Sequence, residues 1–269
     1  MNGIADIYTE EIHGNINMYA AWPPGDTLSL GDYGVLIGNR FERKGNVNND
    51  FGVSYREKKY PSTSNYKFAS LGKVQTVFKP KAQATLQGIV NILNASLDIN
   101  FSDSRSVFFN AANCSQSLID NIEFKLAKEI ISLYKKGKWN PDWVIVSKLI
   151  SADSTTAIIS GSGNASISLE ASTPQVPMIN LADASIGLTS KSEKDIGFSI
   201  ITQGGLTPLF GLLKLKKYPL DIMDPTLAEA FSYVPNLNIL RTSDILQTSG
   251  EGTAKNLEID AEMLILSEI

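Results

Sequence analysis

The sequence predicts an α+β fold: a twisted, mostly antiparallel sheet with long amphipathic hairpins and a few packed helices. Apolar and polar residues alternate with period two through Ala95 to Ala111 and again through Ala165 to Ile200. That period puts one face of a strand on a core and the other in water. Ser, Asn and Thr dominate the polar positions, which suits a half-solvated sheet, or a hairpin that later turns its apolar face to lipid. Between the two runs, Leu118, Ile122, Leu126, Ile130 and Leu133 recur at helical spacing.

From Asn2 to Phe51 the chain reads as short strands and turns. Asn15 to Ala21 suits a strand, Pro23-Pro24-Gly25-Asp26 a turn, and Tyr33 to Ile37 a strand entering a tight hairpin at Gly38-Asn39. Glycines 31, 34, 38, 45 and 52 serve turn geometry, since no following helix is expected to supply an anion site. Residues 53 to 81 are basic and rich in Tyr and Ser, with Pro61 and Pro80 as breakers, so irregular chain with one strand near Val74 to Phe78 is expected.

The first alternating run places Leu97, Ile99 and Phe101 on one side of a strand, then a turn at Asp103-Ser104, then Val107, Phe109 and Ala111: a hairpin with one apolar face. Ser115 or Ser117 caps the helix that follows, and Lys135, Lys136 and Lys138 surround its stop at Gly137. Trp143 to Ile150 is a buried strand. The second run has Ala165, Ile167 and Leu169, then Ile186 and Leu188, a charged turn over Lys191 to Lys194, and Ile196, Phe198 and Ile200 returning, before Gly204-Gly205 and Pro208 break the strand. After Tyr218 the chain is acidic, and Leu257, Ile259, Ala261 and Met263 alternate with acids in a final strand.

Charge is unevenly distributed. Residues 218–269 hold nine acids against Arg241 and Lys255, a net of −7, which leaves +3 for the rest of a chain whose formal total is −4. Arg56, Lys58, Lys59, Lys67, Lys73, Lys79 and Lys81 face only Glu57, so this stretch reads either as a solvated face or as a basic surface covered by the acidic tail. One cysteine, Cys114, and one histidine, His13, exclude an internal disulfide framework and a Cys/His zinc site. No cofactor and no nucleic-acid partner are expected. The first residues lack the basic and apolar regions of a signal peptide, so cytoplasmic synthesis is expected.

No GxSxG elbow, phosphate-binding loop, HExxH or dinucleotide fingerprint occurs. Ser70-Leu71-Gly72-Lys73 matches SxxK, but a second match at Ser132 to Lys135 falls on the helix and neither has companion motifs. Catalysis is not expected. Cys114, placed just before the helix cap, reads as a packing group, although a helix N-terminus can lower a thiol pKa.

As an ordered pattern, residues 80 to 217 resemble the pore-forming domain of gasdermins, in particular bacterial gasdermin-like proteins. The resemblance runs from Thr85-Leu86-Gln87-Gly88-Ile89-Val90, through a serine-rich turn and a helix with a basic stop, to Trp143-Val144-Ile145-Val146-Ser147-Lys148-Leu149-Ile150 and Leu206-Thr207-Pro208-Leu209-Phe210-Gly211. It implies a cytoplasmic, autoinhibited protein with a pore-forming domain over 1–217 and an inhibitory acidic segment over 218–269. Cleavage by a protease in the region of Asp244, Leu246 and Gly250 would release it to bind acidic membrane lipid, assemble as a homo-oligomer and lyse cells in an antiphage-type defence.

The resemblance further implies membrane-inserting faces at Leu97, Ile99, Phe101, Val107 and Phe109, and at Ile186, Leu188, Ile196, Phe198 and Ile200. It implies headgroup contacts at Lys58, Lys59, Lys79, Lys81, Lys135 and Lys136, and an inhibitory strand carrying Leu257, Ile259 and Met263. Bacterial members carry an N-terminal lipidated cysteine; none precedes Cys114 here. The alternatives are a soluble α+β ligand-binding or interaction module with no membrane activity, and an enzyme with scattered carboxylates.

Overall fold

In the computed structural model, which describes residues 3–84, 90–120, 122–171, 188–219, 237–239 and 262–268, the chain opens on a helix where strands and turns were expected. Helix α1 (Ile4–Ile16) buries Tyr8, Thr9 and Ile12 on one face. The Asp6 carboxylate accepts from the Gly3 N–H at 3.0 Å, satisfying a donor that the helix itself leaves open. Asn17, in the left-handed region at φ 57°, ends it by donating its N–H to the His13 carbonyl at 3.0 Å.

Strand β1 (Tyr19–Ala20) is only two residues long, shorter than the Asn15 to Ala21 strand expected. Strands β2 (Asp32–Ile37) and β3 (Arg40–Asn46) form the hairpin that Gly38-Asn39 announces, with Gly38 at φ 59°. A five-residue helix, α2 (Val47–Phe51), follows Gly45, where only turn geometry was expected, and Gly52 ends it at φ 67°.

The basic stretch forms two long strands, β4 (Arg56–Ala69) and β5 (Val74–Ala84), in place of irregular chain. Next come β6 (Val90–Phe101) and β7 (Val107–Asp120). The helix begins later than Ser115 or Ser117, because β7 continues through them and a π-helical turn at Ile122–Leu126 leads into α3 (Ala127–Lys135). Both edges of β7 are paired there: Gln116 and Ser117 face Tyr60 and Lys59 on β4 and Ile150 and Leu149 on the following strand. The helix stops at Gly137, φ 68°, as its sequence signal indicates.

Strand β8 (Trp143–Ser160) is longer than expected and is buried over most of its 18 residues. After it come β9 (Ser166–Ala171), β10 (Leu188–Lys194), β11 (Ile196–Pro219), β12 (Leu237–Ile239) and β13 (Glu262–Glu268). Lys191 to Lys194 is strand, and the chain turns one residue later at Asp195, φ 53°. Gly204-Gly205 and Pro208 do not end β11; they produce register shifts on either side of Leu206.

The fold is α+β and its strand pairs are antiparallel. Nine strands form one sheet in the order β12-β13-β11-β8-β2-β3, with β1 on β11, β7 on β8 and β4 on β7; four form a second in the order β10-β9-β6-β5. Three apolar clusters result. At the base, Leu126 of the π-helical turn and Ile130 and Ile131 of α3 pack onto Val144, Val146, Leu212 and Leu213, with Trp139. Under α1, Tyr8 and Ile12 meet Val107, Phe109, Ala111, Ala157 and Ile159. Between the sheets, Leu97, Ile99, Phe101, Ile167 and Leu169 meet Phe108 and Ile158.

Candidate functional site

The expected β6–β7 hairpin does not exist. β6 pairs with β5 and β9 in the small sheet, while β7 pairs with β4 and β8 in the large one. Residues between Phe101 and Val107 form a corner that carries the chain from one sheet to the other. Three more corners do the same: Ser70 to Lys73 joins β4 to β5, Gly161 to Ala165 joins β8 to β9, and Asp195 joins β10 to β11. Strand order is the same on both sides of these corners. The large sheet runs β4-β7-β8-β11 and the small one β5-β6-β9-β10, so each of the four strands has its own continuation folded back over it.

The corners bond to one another in a row, which we call the crease. At its first step, the Ser70 N–H donates to the Val107 carbonyl (3.0 Å) and Val107 returns its own N–H to Ser70 Oγ (2.9 Å). The Ser102 N–H reaches the Lys73 carbonyl at 2.9 Å, and the Lys73 ammonium lies 3.2 Å from the Asp103 carboxylate. Next, the Ser106 N–H donates to Ser160 Oγ (2.8 Å), which itself donates to the Asp103 carbonyl (2.8 Å), while the Ser160 N–H donates to the Ser106 carbonyl (2.9 Å). The Gly161 N–H closes the row on the Asp195 carbonyl at 2.8 Å. Ser70, Ser106 and Ser160 are buried, so hydroxyls satisfy turn donors that water does not reach. The SxxK match is thus a corner, with Gly72 at φ 68°.

The small sheet is amphipathic. Its inner face carries Leu97, Ile99, Phe101, Ile167 and Leu169, all buried against the large sheet. On its outer face the Lys79 ammonium lies 2.6 Å from Asp98, whose carboxylate also accepts from Ser168 Oγ at 2.6 Å, and Lys191 pairs with Glu170. β10 departs from the pattern: a register shift between Ser190 and Ser192 brings exposed Glu193 opposite Ile167.

The expected inserting residues therefore do not share one face. Leu97, Ile99 and Phe101 lie between the sheets with Ile196 packed beside them, whereas Val107, Phe109, Phe198 and Ile200 lie on the opposite side of the large sheet, under α1. The register shift between Ile196 and Phe198 separates two residues that strict alternation would keep together. Phe108, which interrupts the alternation next to Phe109, is the residue that faces the small sheet. Leu188 lies in β10 opposite Ala171, and Ile186 falls outside the described residues.

Nor do the expected headgroup lysines form one surface. Lys58 and Lys59 are exposed near the base end of β4, and Lys135 and Lys136 are exposed at the end of α3. Lys79 is on the small sheet and already paired, with Lys81 further along the same strand. Met263 stands opposite Tyr218 in the β13–β11 ladder. Asp244, Leu246, Gly250, Leu257 and Ile259 fall outside the described residues.

α1 covers the face of the large sheet opposite the small one. Tyr8 and Ile12 are fully buried there, Tyr8 packs at 5.8 Å from Trp22, and Trp22 lies 5.0 Å from Phe198. The Tyr8 hydroxyl is buried without a partner, and burial pushes its pKa up. An open cleft of about 570 Å³ separates α1 from the first two corners, lined by Glu10, Glu11, Lys73, Asp103 and Arg105 among others. Cys114 is a strand residue of β7, not a helix-cap neighbour; burial pushes its thiol up to about 11 and it donates to the Ala111 carbonyl at 3.4 Å. His13 stacks on Tyr19 at 4.3 Å.

No protein-family model and no curated protein matches the chain. A gasdermin pore resembles it. That solved structure, the cryo-EM structure of the gasdermin A3 membrane pore, is similar at 9% sequence identity and a TM-score of 0.32, over 81% of this chain and 91% of that one. Among the described residues no cluster of three metal-ligating side chains occurs. Among them, too, no helix is long and apolar enough to cross a membrane, a statement that does not extend to strands.

The sequence missed the crease because period-two alternation specifies faces, not partners. A usable signal was present. Three links between alternating segments are short clusters rich in Ser, Gly, Asp or Asn, at 70–73, 102–106 and 161–164, and the fourth is the single residue Asp195.

Proposed function

We propose that this chain is a non-enzymatic pore-forming protein of the gasdermin kind, held in a folded-back form. In this reading it is cytoplasmic until a protease frees it from its acidic C-terminal segment. It then binds acidic lipid, straightens at the crease, assembles with other copies in the membrane and permeabilises it, killing the cell in a defence response. The observation that carries the reading is the small sheet: four antiparallel strands, apolar on the inner face of β6 and β9, each continuing a strand of the body through a corner.

Membrane barrels need antiparallel strands of about 9–11 residues, with every backbone group paired and lipid-facing apolar side chains alternating with lumen-facing polar ones. β5 and β6, with 11 and 12 residues, meet that length. On straightening, the inner face of Leu97, Ile99, Phe101, Ile167 and Leu169 becomes the lipid face, and Asp98, Lys79, Ser168 and Glu170 face the lumen. In the folded-back form the large sheet covers the apolar face, which keeps an aggregation-prone surface out of water.

The test is dye release from acidic-lipid liposomes by the full chain and by a chain ending at Leu246. Release by the shortened chain alone supports the reading. Intact liposomes with both chains, each shown folded by circular dichroism, would refute it and favour a soluble module.

A further inference from the structure

We propose that the β4–β5 flank of the layer between the two sheets binds a small neutral aromatic molecule carrying one hydrogen-bond donor, of the indole or phenol class, and that its occupancy holds the sheets together. Binding is independent of the pore-forming reading; its effect on permeabilisation rests on that reading.

The layer is unevenly filled. At its centre Leu97, Ile99, Phe101, Ile167 and Leu169 meet Phe108 and Ile158. On the flank, Ala69 stands opposite Phe108 and Lys67 opposite Asn110, so alternation turns these four side chains toward the small sheet. Thr76, opposite Ile99, faces them from β5. Between them lies a cavity of about 240 Å³, lined by Lys67, Ala69, Thr76, Phe108 and Asn110 among others. Lys67, Ala69 and Thr76 are exposed while Phe108 and Asn110 are buried, so the cavity opens sideways to solvent and ends on Asn110.

Asn110 supplies the second argument. The residue is 4% exposed, and its Oδ1 is buried with no hydrogen-bond partner among the described residues. A buried acceptor left in that state is costly, and a donor on a bound molecule would satisfy it. The Lys67 ammonium at the mouth disfavours a cationic donor, which leaves a neutral O–H or N–H.

Size and shape narrow the class. A cavity of about 150 Å³ holds a benzene ring, so this one has room for two fused rings. A gap between packed sheets is a slot, which suits a flat molecule, and Phe108 offers it an aromatic wall. The occupant would touch Thr76 of the small sheet and Phe108 and Asn110 of the large one. It therefore binds the folded-back form and stabilises that form by mass action.

Indole and 1-methylindole are the probes, since they share their rings and only indole has an N–H. Calorimetric titration of the full chain should give one saturable site for indole, with 1-methylindole about tenfold weaker. Asn110→Leu removes the acceptor and should bind the two alike. Thr76→Leu fills the slot and should bind neither; Ala69→Leu fills it from β4 and serves where Thr76→Leu does not fold. In the chain ending at Leu246, indole at about ten times its dissociation constant should slow dye release about tenfold. Release by the slot-filled version of that chain should not respond.

No saturable binding would overturn the proposal and leave Asn110 to water. Equal affinity for both probes, or undiminished binding by the slot-filled chain, would also overturn it. Binding without any slowing of a release-competent chain would overturn the claim that the occupant holds the sheets together. A chain ending at Leu246 that binds as expected yet releases no dye with or without indole would instead remove the pore-forming reading and leave the site standing.

Discussion

Ser106 and Ser160 exchange backbone and side-chain hydrogen bonds at the centre of the crease: the Ser106 N–H donates to Ser160 Oγ at 2.8 Å and the Ser160 N–H donates to the Ser106 carbonyl at 2.9 Å. The Ser160 hydroxyl also donates to the Asp103 carbonyl, so one buried side chain ties two corners. Ser160→Ala leaves a buried N–H without its acceptor, which costs about 1–3 kcal/mol. Urea denaturation should show that loss. In the chain ending at Leu246, dye release should become faster, because the corners are less tightly bound to each other. An unchanged release rate would separate the crease from the permeabilising step.

Ile99 is fully buried between the sheets. Ile99→Ala should destabilise the folded-back form by about 2–5 kcal/mol through lost transfer energy and the cavity left behind. Ser166→Arg, on the outer face of the same sheet, should cost under about 0.5 kcal/mol in the same denaturation series. On the pore reading both faces are also distinguishable in the membrane: Leu169→Arg abolishes release and Ser166→Arg preserves it.

Tyr8→Phe removes a hydroxyl that is buried with no partner against Phe109 and Trp22. Removing an unsatisfied polar group while keeping the ring should leave stability unchanged or raise it by up to about 1 kcal/mol. Tyr8→Ala should instead cost about 3–5 kcal/mol as an aromatic truncation. Thermal melts of the two variants on either side of the parent check this.

Cys114 gives a pH signature. Burial raises its thiol to about 11 in the folded chain, above the ordinary value near 8.5. The stabilising contribution is therefore fully present below about pH 8.5 and is lost as pH rises toward about 11, because the unfolded chain releases the proton first. Denaturation midpoints should fall across that window, and Cys114→Ala should flatten the fall. Thiol-reactive reagents should label the native protein slowly at pH 8 and quickly in urea.

Gly34 stands where a Cβ would come 2.0 Å from the Glu42 carbonyl oxygen, beside the register shift in the β2–β3 hairpin. Gly34→Ala should cost about 1–3 kcal/mol by overpacking. Circular dichroism melts at equal concentration measure it.

Several elements were legible because their signals are local. Gly38-Asn39 forms its hairpin, Gly137 stops its helix, and Trp143 to Ile150 is a buried strand. α1 was missed although Tyr8 and Ile12 are four apart and Asp6 follows Gly3 by three. β4 was missed as well. As an edge strand carrying Lys58, Lys59, Lys67 and Pro61, it has the composition of a solvated loop, and only its pairing with β7 makes it a strand. The Ser115–Ser117 segment shows tertiary pairing overriding a helix-cap signal. Partners across sheets depend on contacts distant in sequence, which is why the apolar positions were found and their division between two faces was not.

Because the two sheets keep the same strand order, straightening the four corners exchanges no strand neighbour. β5 stays on β6, β6 on β9 and β9 on β10 throughout. On the pore-forming reading, the transition would separate two preformed surfaces, with the long-range pairings that make sheet formation slow already in place. Its barrier would then lie in parting the Leu97–Phe101 layer from Phe108 and Ile158 and in breaking the serine-lined row of corner bonds. Agents that weaken apolar packing while sparing backbone ladders should speed it without unfolding the chain.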